Sequence, residues 1–250
     1  MKSLYISYDG LTGALVKSQV LPYIRNLTKK GIVFTLLTFD KKNYFDEKRK
    51  IKHELRDEGI GWVSLRYHKR PTLPATFYDI LRGILVSVYL VNRDGITIVH
   101  ARSYVAALIA LVLKKLLKLK FIFDMRGIWP DEKVDANTWP RGGFLYRVTK
   151  AFEKRFLLSA DAIIVLTEKL KAIIEDFEYM KSHNVPIDVI PVCVDVNKFK
   201  IASKPRDLVE SLRLGNKTIF IYSGSLGTWY MLDEMVDFFN KAFSSVGVSV

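Results

Sequence analysis

The stretch "ITIVHARSYVAALIALVLKKLLKLKFIFDMRGIWPDE", Ile96 to Glu132, decides how the rest of the chain is read. It opens with a short apolar run, passes through a pattern long enough for a helix over residues 103–117, and returns to a second run, "KFIFD". Both runs are apolar on both faces and rich in β-branched or aromatic residues, as strands of a parallel sheet covered on two sides must be. The unit therefore reads as strand, crossover helix, parallel strand.

The same alternation extends in both directions. "SLYISY", "IVFTLLTF" and "GWVSL" precede this unit, and "AIIVL", "IDVIP" and "TIFIYS" follow it. Helical patterns fall over residues 13–30, 42–58, 76–92, 142–159 and 168–181. The expected fold class is α/β, a doubly wound parallel sheet of Rossmann-like type. Residues 199–217 are polar and irregular, after which a strand, a glycine turn and an amphipathic helix begin again. The expected organisation is one domain over residues 1–200, a linker over 201–217, and the beginning of a second domain over 218–250, too short to close a core alone.

Composition narrows the function classes. Thirty-nine Lys and Arg against 26 Asp and Glu give a formal charge of +13, which favours phosphate-bearing partners. The basic residues are spread through ordinary helices with no zinc spacing, single-strand-binding aromatic motif or basic tail, so nucleic acid is not an expected partner. Diphosphate-linked small molecules and an anionic membrane surface remain. The cluster "LVLKKLLKLK", with Lys114, Lys115, Lys118 and Lys120, is read either as a membrane contact or as a core helix whose lysines reach solvent. The single cysteine, Cys193, forms no intramolecular disulfide and makes a cysteine metal site unexpected. The N-terminus reads as a first strand rather than a signal peptide, and the run from Tyr104 to Leu113 is too short for a membrane span. A cytoplasmic chain, peripheral on the membrane at most, is the expectation.

In a doubly wound sheet ligands bind beyond the C-terminal strand ends, so the residues there are the candidates. "YDGLTG" offers Gly10 and Gly13 between a strand and a helix, either for close approach of an anion or simply for a turn. The spacing fails the dinucleotide fingerprint G-x-G-x-x-G, which argues against a dehydrogenase or epimerase. His100 is read as the last residue of its strand and Arg102 as lying just beyond it. Either a hydroxyl or phosphate contact or a structural histidine fits that pattern. Asp124 ends an apolar strand and needs a partner, for which Arg126 or a backbone amide serves. That pair either braces the loop or contacts a ligand. Trp129 and Pro130 suit an apolar wall for a sugar ring. Asp131 and Glu132 read as solvated acids or as a helix start. "YSGSLGT" places Gly224, Ser225, Gly227 and Thr228 before a helix, where amides and hydroxyls suit a diphosphate or simply make a turn.

Taken in order, "GLTGALVKSQVLPYIRNLTKKG", "IVHARSYVAALIA", "FIFDMRGIWPDE", "FEKRFLLSADAIIVLTEKLKAII", "IPVCVDVNKF" and "FIYSGSLGTWYMLDEM" resemble the retaining glycosyltransferases of family four. The resemblance covers nearly the whole chain. It implies a GT-B architecture, in which two Rossmann-like domains face a cleft and hold acceptor and nucleotide-sugar. It implies transfer with retention of configuration, without a catalytic metal or cofactor, onto a sugar or lipid-linked sugar acceptor in cell-surface polysaccharide or glycolipid synthesis. Carried over, Asp124, Arg126 and His100 stand as catalytic candidates, and Gly10, Gly13, Arg102, Trp129 and Glu132 as substrate-binding ones. Gly224, Ser225, Gly227 and Thr228 would cradle the donor diphosphate. Arg126 stands where many members carry a histidine, Ser225 is not followed by the family's basic pair, and the paired-glutamate motif would lie beyond Val250. A chain ending there is expected to bind acceptor more readily than donor and not to turn over alone. The alternative is a truncated, non-catalytic acceptor-binding or scaffolding protein of the same fold.

Overall fold

A computed structural model describes the chain except for residues 42–44, 195, 197–198, 200–202, 204, 216–218, 225, 227–229 and 247–250. The chain divides into two units, one made of Met1–Glu132 with Pro140–Val194 and the other of Lys133–Trp139 with Asp195–Val250.

The first unit holds a seven-stranded sheet. Its strands are β1 (Lys2–Ser7), β2 (Val33–Asp40), β3 (Gly61–Arg66), β4 (Ile98–Arg102), β5 (Lys120–Asp124), β6 (Ala162–Val165) and β7 (Ile187–Val189). They lie in the order β3-β2-β1-β4-β5-β6-β7 and every neighbouring pair is parallel. The two-faced apolar runs explain this arrangement: β2 is buried at every position after Val33, so neither face meets water. Successive residues Leu4, Tyr5 and Ile6 point alternately to the two faces. Tyr5 joins Val16, Leu21, Ile24 and Ile51 under α1 (Ala14–Gln19), α2 (Leu21–Lys29) and α3 (Phe45–Asp57). Leu4 and Ile6 join Phe121, Phe123 and Phe156 under α4 (Thr72–Asp94), α5 (Ser103–Leu117) and α7 (Phe144–Ser159).

The doubly wound α/β expectation holds, with differences in detail. The helix expected over residues 13–30 is two helices broken at Val20, because Pro22 in the first turn of α2 has no N–H to give to the preceding turn. The "IWPDE" segment forms the short helix α6 (Trp129–Asp135), and α8 (Glu168–Glu175) follows β6. In the second unit, α9 (Arg206–Ser211) interrupts the expected linker and α10 (Leu232–Val246) is the amphipathic helix. The eighth strand does not form over residues 219–223. A lone strand in that unit has no neighbour to take its backbone hydrogen bonds. Its apolar side chains instead pack on the helix, with the rings of Phe220 and Phe239 5.7 Å apart.

Helix α4 inverts the usual pattern of an amphipathic helix. Its inward line, Ala75, Asp79, Gly83, Ser87 and Val91, is small or polar, and all five are buried. Its outward line, Leu73, Phe77, Leu81, Leu85 and Tyr89, is large and apolar, and all five are exposed. Among the described residues α4 is the one helix long and apolar enough to cross a membrane by length and composition. A Cβ on Gly83 would sit 2.6 Å from Cδ1 of Ile109 and 3.0 Å from Cζ of Phe39, so the helix lies close on its neighbours because position 83 has no side chain. Gly83→Val is therefore expected to cost about 1–3 kcal/mol of stability by overpacking. Urea unfolding measures this, and a midpoint equal to the parent's would mean that the α4–α5 contact is loose.

Candidate functional site

In the strand order, β1 and β4 are the neighbours from which the sheet winds in opposite directions, and the crevice at their C-terminal ends is the general ligand position of such sheets. Register puts Ser7, Arg102 and Asp124 side by side at the ends of β1, β4 and β5, with Tyr5 and His100 one pleat behind. Strand β4 runs two residues beyond His100, so Arg102 rather than His100 ends it, because its backbone pairs with Ser7 on one side and Asp124 on the other. The chain then enters α5 with no connecting loop, and Ser103 takes the turn at φ 69°, a left-handed conformation that costs a non-glycine residue of order 1 kcal/mol.

Asp124 is buried among groups that favour its charged form. The Tyr5 hydroxyl donates to Oδ2 at 3.4 Å and Arg126 Nη1 to Oδ1 at 3.4 Å. Nε2 of His100 lies 3.9 Å from Oδ2, beyond hydrogen-bond length. Burial by itself raises the carboxyl pKa, but His100, Arg126 and Arg102 together outweigh it and hold the group below the usual carboxylate range. The same burial, with the negative charge of Asp124, pushes the Tyr5 phenol far above its ordinary value. Among the described residues His100 Nε2 is buried without a hydrogen-bond partner.

Gln19, at the end of α1, ties the two arginines together. Its Oε1 accepts from Arg102 Nη2 at 2.8 Å and from Arg126 Nη2 at 3.1 Å, while Arg102 Nη1 reaches Asp9 at 3.4 Å. Arg102 is almost wholly buried, and Arg126 keeps about a fifth of its side chain exposed (21%). Two planar guanidinium forks that share one neutral amide suit a phosphate or the hydroxyls of a sugar. Gln19 and Asp9 were not among the sequence candidates. A signal for Gln19 existed: it lies three residues after buried Val16 and one before buried Val20, so helical spacing turns it inward.

Other candidates have local explanations. A Cβ on Gly10 would stand 2.5 Å from Oδ1 and 2.8 Å from Cα of Asp40. Asp40 in turn accepts from the Thr12 amide and hydroxyl at 3.2 and 3.1 Å, which fixes the loop after β1. Gly13 closes a turn onto the Gly10 carbonyl at 3.1 Å and caps α1. Trp129 packs against the Tyr104 ring at 5.7 Å. The Glu132 carboxylate folds back over Gly127, where an added Cβ would overlap its Oε1. Asp131 begins α6 but is not simply a solvated acid: it accepts from Tyr146 at 3.0 Å and Lys150 at 3.1 Å. Lys150 also pairs with the fully buried Glu153, which accepts from Tyr104 as well. This network anchors the "GIWPDE" loop to α7. Gly224 lies in the second unit, where its Cβ position is 2.7 Å from the Tyr222 hydroxyl. Ser225, Gly227 and Thr228 lie outside the described residues.

A family model described as "Glycosyl transferase 4-like domain" matches residues 16–193, most of the chain and nearly all of the sheet unit. The chain belongs to this glycosyl transferase 4-like family. No curated protein matches it in sequence. Among solved structures the fold is shared with HepE (Alr3699) of Anabaena in complex with UDP and glucose, at 13% identity and a TM-score of 0.60 over 96% of this chain and 58% of that one. It is shared with sucrose-phosphate synthase of Thermosynechococcus elongatus, at 13% identity and a TM-score of 0.58 over 85% and 52%. It is also shared with UGT89C1 of Arabidopsis thaliana complexed with UDP, at 14% identity and a TM-score of 0.50 over 86% and 55%. The chain thus spans a little over half the length of these structures. These likenesses establish a GT-B-type Rossmann-like fold.

In this glycosyl transferase 4-like chain the depressed pKa of Asp124 has a stability consequence of definite sign. A carboxylate whose folded pKa lies below its unfolded value, about 3.9, stabilises the protein above that value and loses the contribution as pH falls through the folded pKa. Asp124→Asn should therefore lower the melting temperature at pH 7, and the gap to the parent should narrow as the pH approaches about 3. A gap that stays constant down to that pH would show that the charge on Asp124 does not stabilise the fold.

Proposed function

We propose that this chain forms the acceptor-side part of a glycosyltransferase that takes its sugar from a nucleotide-sugar donor. The observation that carries the reading is the convergence of Arg102 and Arg126 on Gln19 at the β1–β4 strand ends, beside the buried Asp124. A ligand that displaces the Gln19 amide meets two fixed positive forks, with the Asp124 carboxylate behind them. Family membership supports glycosyl transfer, and the fold shared with HepE, whose structure holds UDP and glucose, supports a nucleotide-sugar as the donor.

In this reading Arg126 and Arg102 orient the acceptor and the transferred sugar, Asp124 sets the position of Arg126, and Trp129 bounds the site on its apolar side. The motif at Gly224, Ser225, Gly227 and Thr228 is assigned the donor diphosphate on its sequence alone. Charge on the departing diphosphate is neutralised by amides and basic side chains, with no metal or cofactor, so a chelator should leave the rate unchanged. Transfer proceeds with retention, on a sugar or lipid-linked sugar acceptor, at the cytoplasmic side of polysaccharide or glycolipid synthesis. These finer points rest on the ordered motifs, and the anomeric configuration of the product by NMR decides the first of them. A second reading is acceptor binding without turnover, favoured by one observation: the converging side chains all belong to the first unit.

Release of nucleoside diphosphate from UDP- and GDP-sugars, followed with sugar and lipid-linked acceptors, separates the readings. Arg126→Lys keeps the positive charge beside Asp124 but loses the fork, and is expected to slow release by about 100-fold while the melting temperature moves by about 2 °C or less. Absence of both release and calorimetric binding with every donor would overturn the donor assignment. Acceptor binding alone would select the second reading.

A further inference from the structure

The outer face of α4 is not used by the fold. Leu73, Phe77, Leu81, Leu85 and Tyr89 recur every fourth residue, and each exposes between 44 and 70% of its surface. At 1.5 Å per residue they form an apolar ridge, inclined to the helix axis, that extends about 24 Å along it. Ile80, Ile84 and Val88 widen it from the sides, partly buried against the core. A soluble face of this size and chemistry marks a docking surface, because single exposed apolar residues are common but continuous stripes are not.

Charge distinguishes the occupants. Lys69 and Arg70 precede the helix, Arg82 flanks its middle over the Tyr78 ring, and Arg93 sits in the last turn. Of the two acids on α4, neither opposes Lys69, Arg70 or Arg82. Asp79 is fully buried, where it accepts from the Tyr8 hydroxyl at 3.0 Å and the His68 amide at 2.9 Å and pairs with the His68 ring. Asp94 is held by Arg93 at 2.6 Å. A stripe with uncompensated cations before it and beside it is complementary to an anionic surface that also has an apolar layer. Two copies meeting through it would bring like charges together, on chains that already carry +13 each. Spanning a bilayer is disfavoured by the inward line, since withdrawing α4 from the domain would strip Asp79 of its partners.

The lysines near the end of α5 offer a weaker alternative. Lys114 bonds the Ser159 carbonyl and Asp161, both at 2.6 Å, and Lys120 reaches Asp161 at 3.1 Å, so two of the four brace the N-terminal ends of β5 and β6. The membrane reading of that cluster therefore has less to stand on than the sequence suggested.

We propose that α4 is a monotopic membrane-docking helix that lies in the interface of an anionic bilayer, with Leu73, Phe77, Leu81, Leu85 and Tyr89 in the acyl boundary and Lys69, Arg70 and Arg82 at the headgroups. This assignment is independent of the glycosyl-transfer reading. The test is flotation of the 250-residue protein with phosphatidylcholine vesicles and with vesicles containing about one third phosphatidylglycerol. Recovery with the anionic vesicles is expected, falling by roughly tenfold in Leu81→Ser/Leu85→Ser, two exposed positions whose change leaves the circular dichroism intact. Lys69→Gln/Arg70→Gln should weaken binding and its salt dependence, whereas Lys115→Gln/Lys118→Gln should not. Equal recovery with both vesicle types, no recovery with either, or loss only in the Lys115/Lys118 variant would overturn the proposal. So would a concentration-dependent dimer that the Leu81/Leu85 change abolishes while vesicle binding persists.

Discussion

A charged carboxylate at the end of a buried strand constrains everything around it. Asp124 has little water to solvate it, so its charge survives only because Tyr5 and Arg126 reach it and the Arg102 charge and the His100 ring stand close by. Those groups come from β1, the loop after β5, and β4, and Gln19 from α1 then ties the two arginines. The parallel register makes this convergence possible, since it sets Ser7, Arg102 and Asp124 level across three strands. Fold and site are thus one electrostatic problem: the sheet supplies the geometry, and the carboxylate requires that the geometry be filled by cations.

The sequence was most informative where physics admits one answer. Runs such as "VFTLLTF" and "KFIFD" are apolar on both faces, and only a covered parallel sheet buries such runs, so seven strands and their helices were legible. Asp124 and Arg126 were legible as partners because a buried acid must find one. What periodicity does not contain is direction. In α4 the spacing of residues 73, 77, 81, 85 and 89 defines a face, but the face with the large apolar residues points outward because the close contact at Gly83 admits only small groups beneath it. Spacing turned Gln19 inward but did not name its partners, which lie more than 80 positions away in sequence. Residues 219–223 had the composition of a strand but no neighbour with which to pair.

The two acids after Trp129 show how a local reading goes astray. A pair of acids in the first turn of a helix is explained by the helix dipole alone. Here Asp131 also receives Tyr146 and Lys150, and Lys150 passes the connection to Glu153 and Tyr104. The loop that carries Arg126 is thereby fastened to α7 at several points. A preorganised loop does not need to be ordered again when a ligand arrives, which is what a binding site gains from a rigid support.

Gly127 gives this support a practical meaning. Because the Glu132 carboxylate occupies the space a side chain would need at position 127, a substitution there would have to displace that carboxylate from the loop. Redesigning the ligand preference of this crevice disturbs that arrangement least from the opposite wall. Gln19 on α1 is the accessible dial there, since a shorter or charged residue would re-aim both guanidinium groups while the loop itself stays in place.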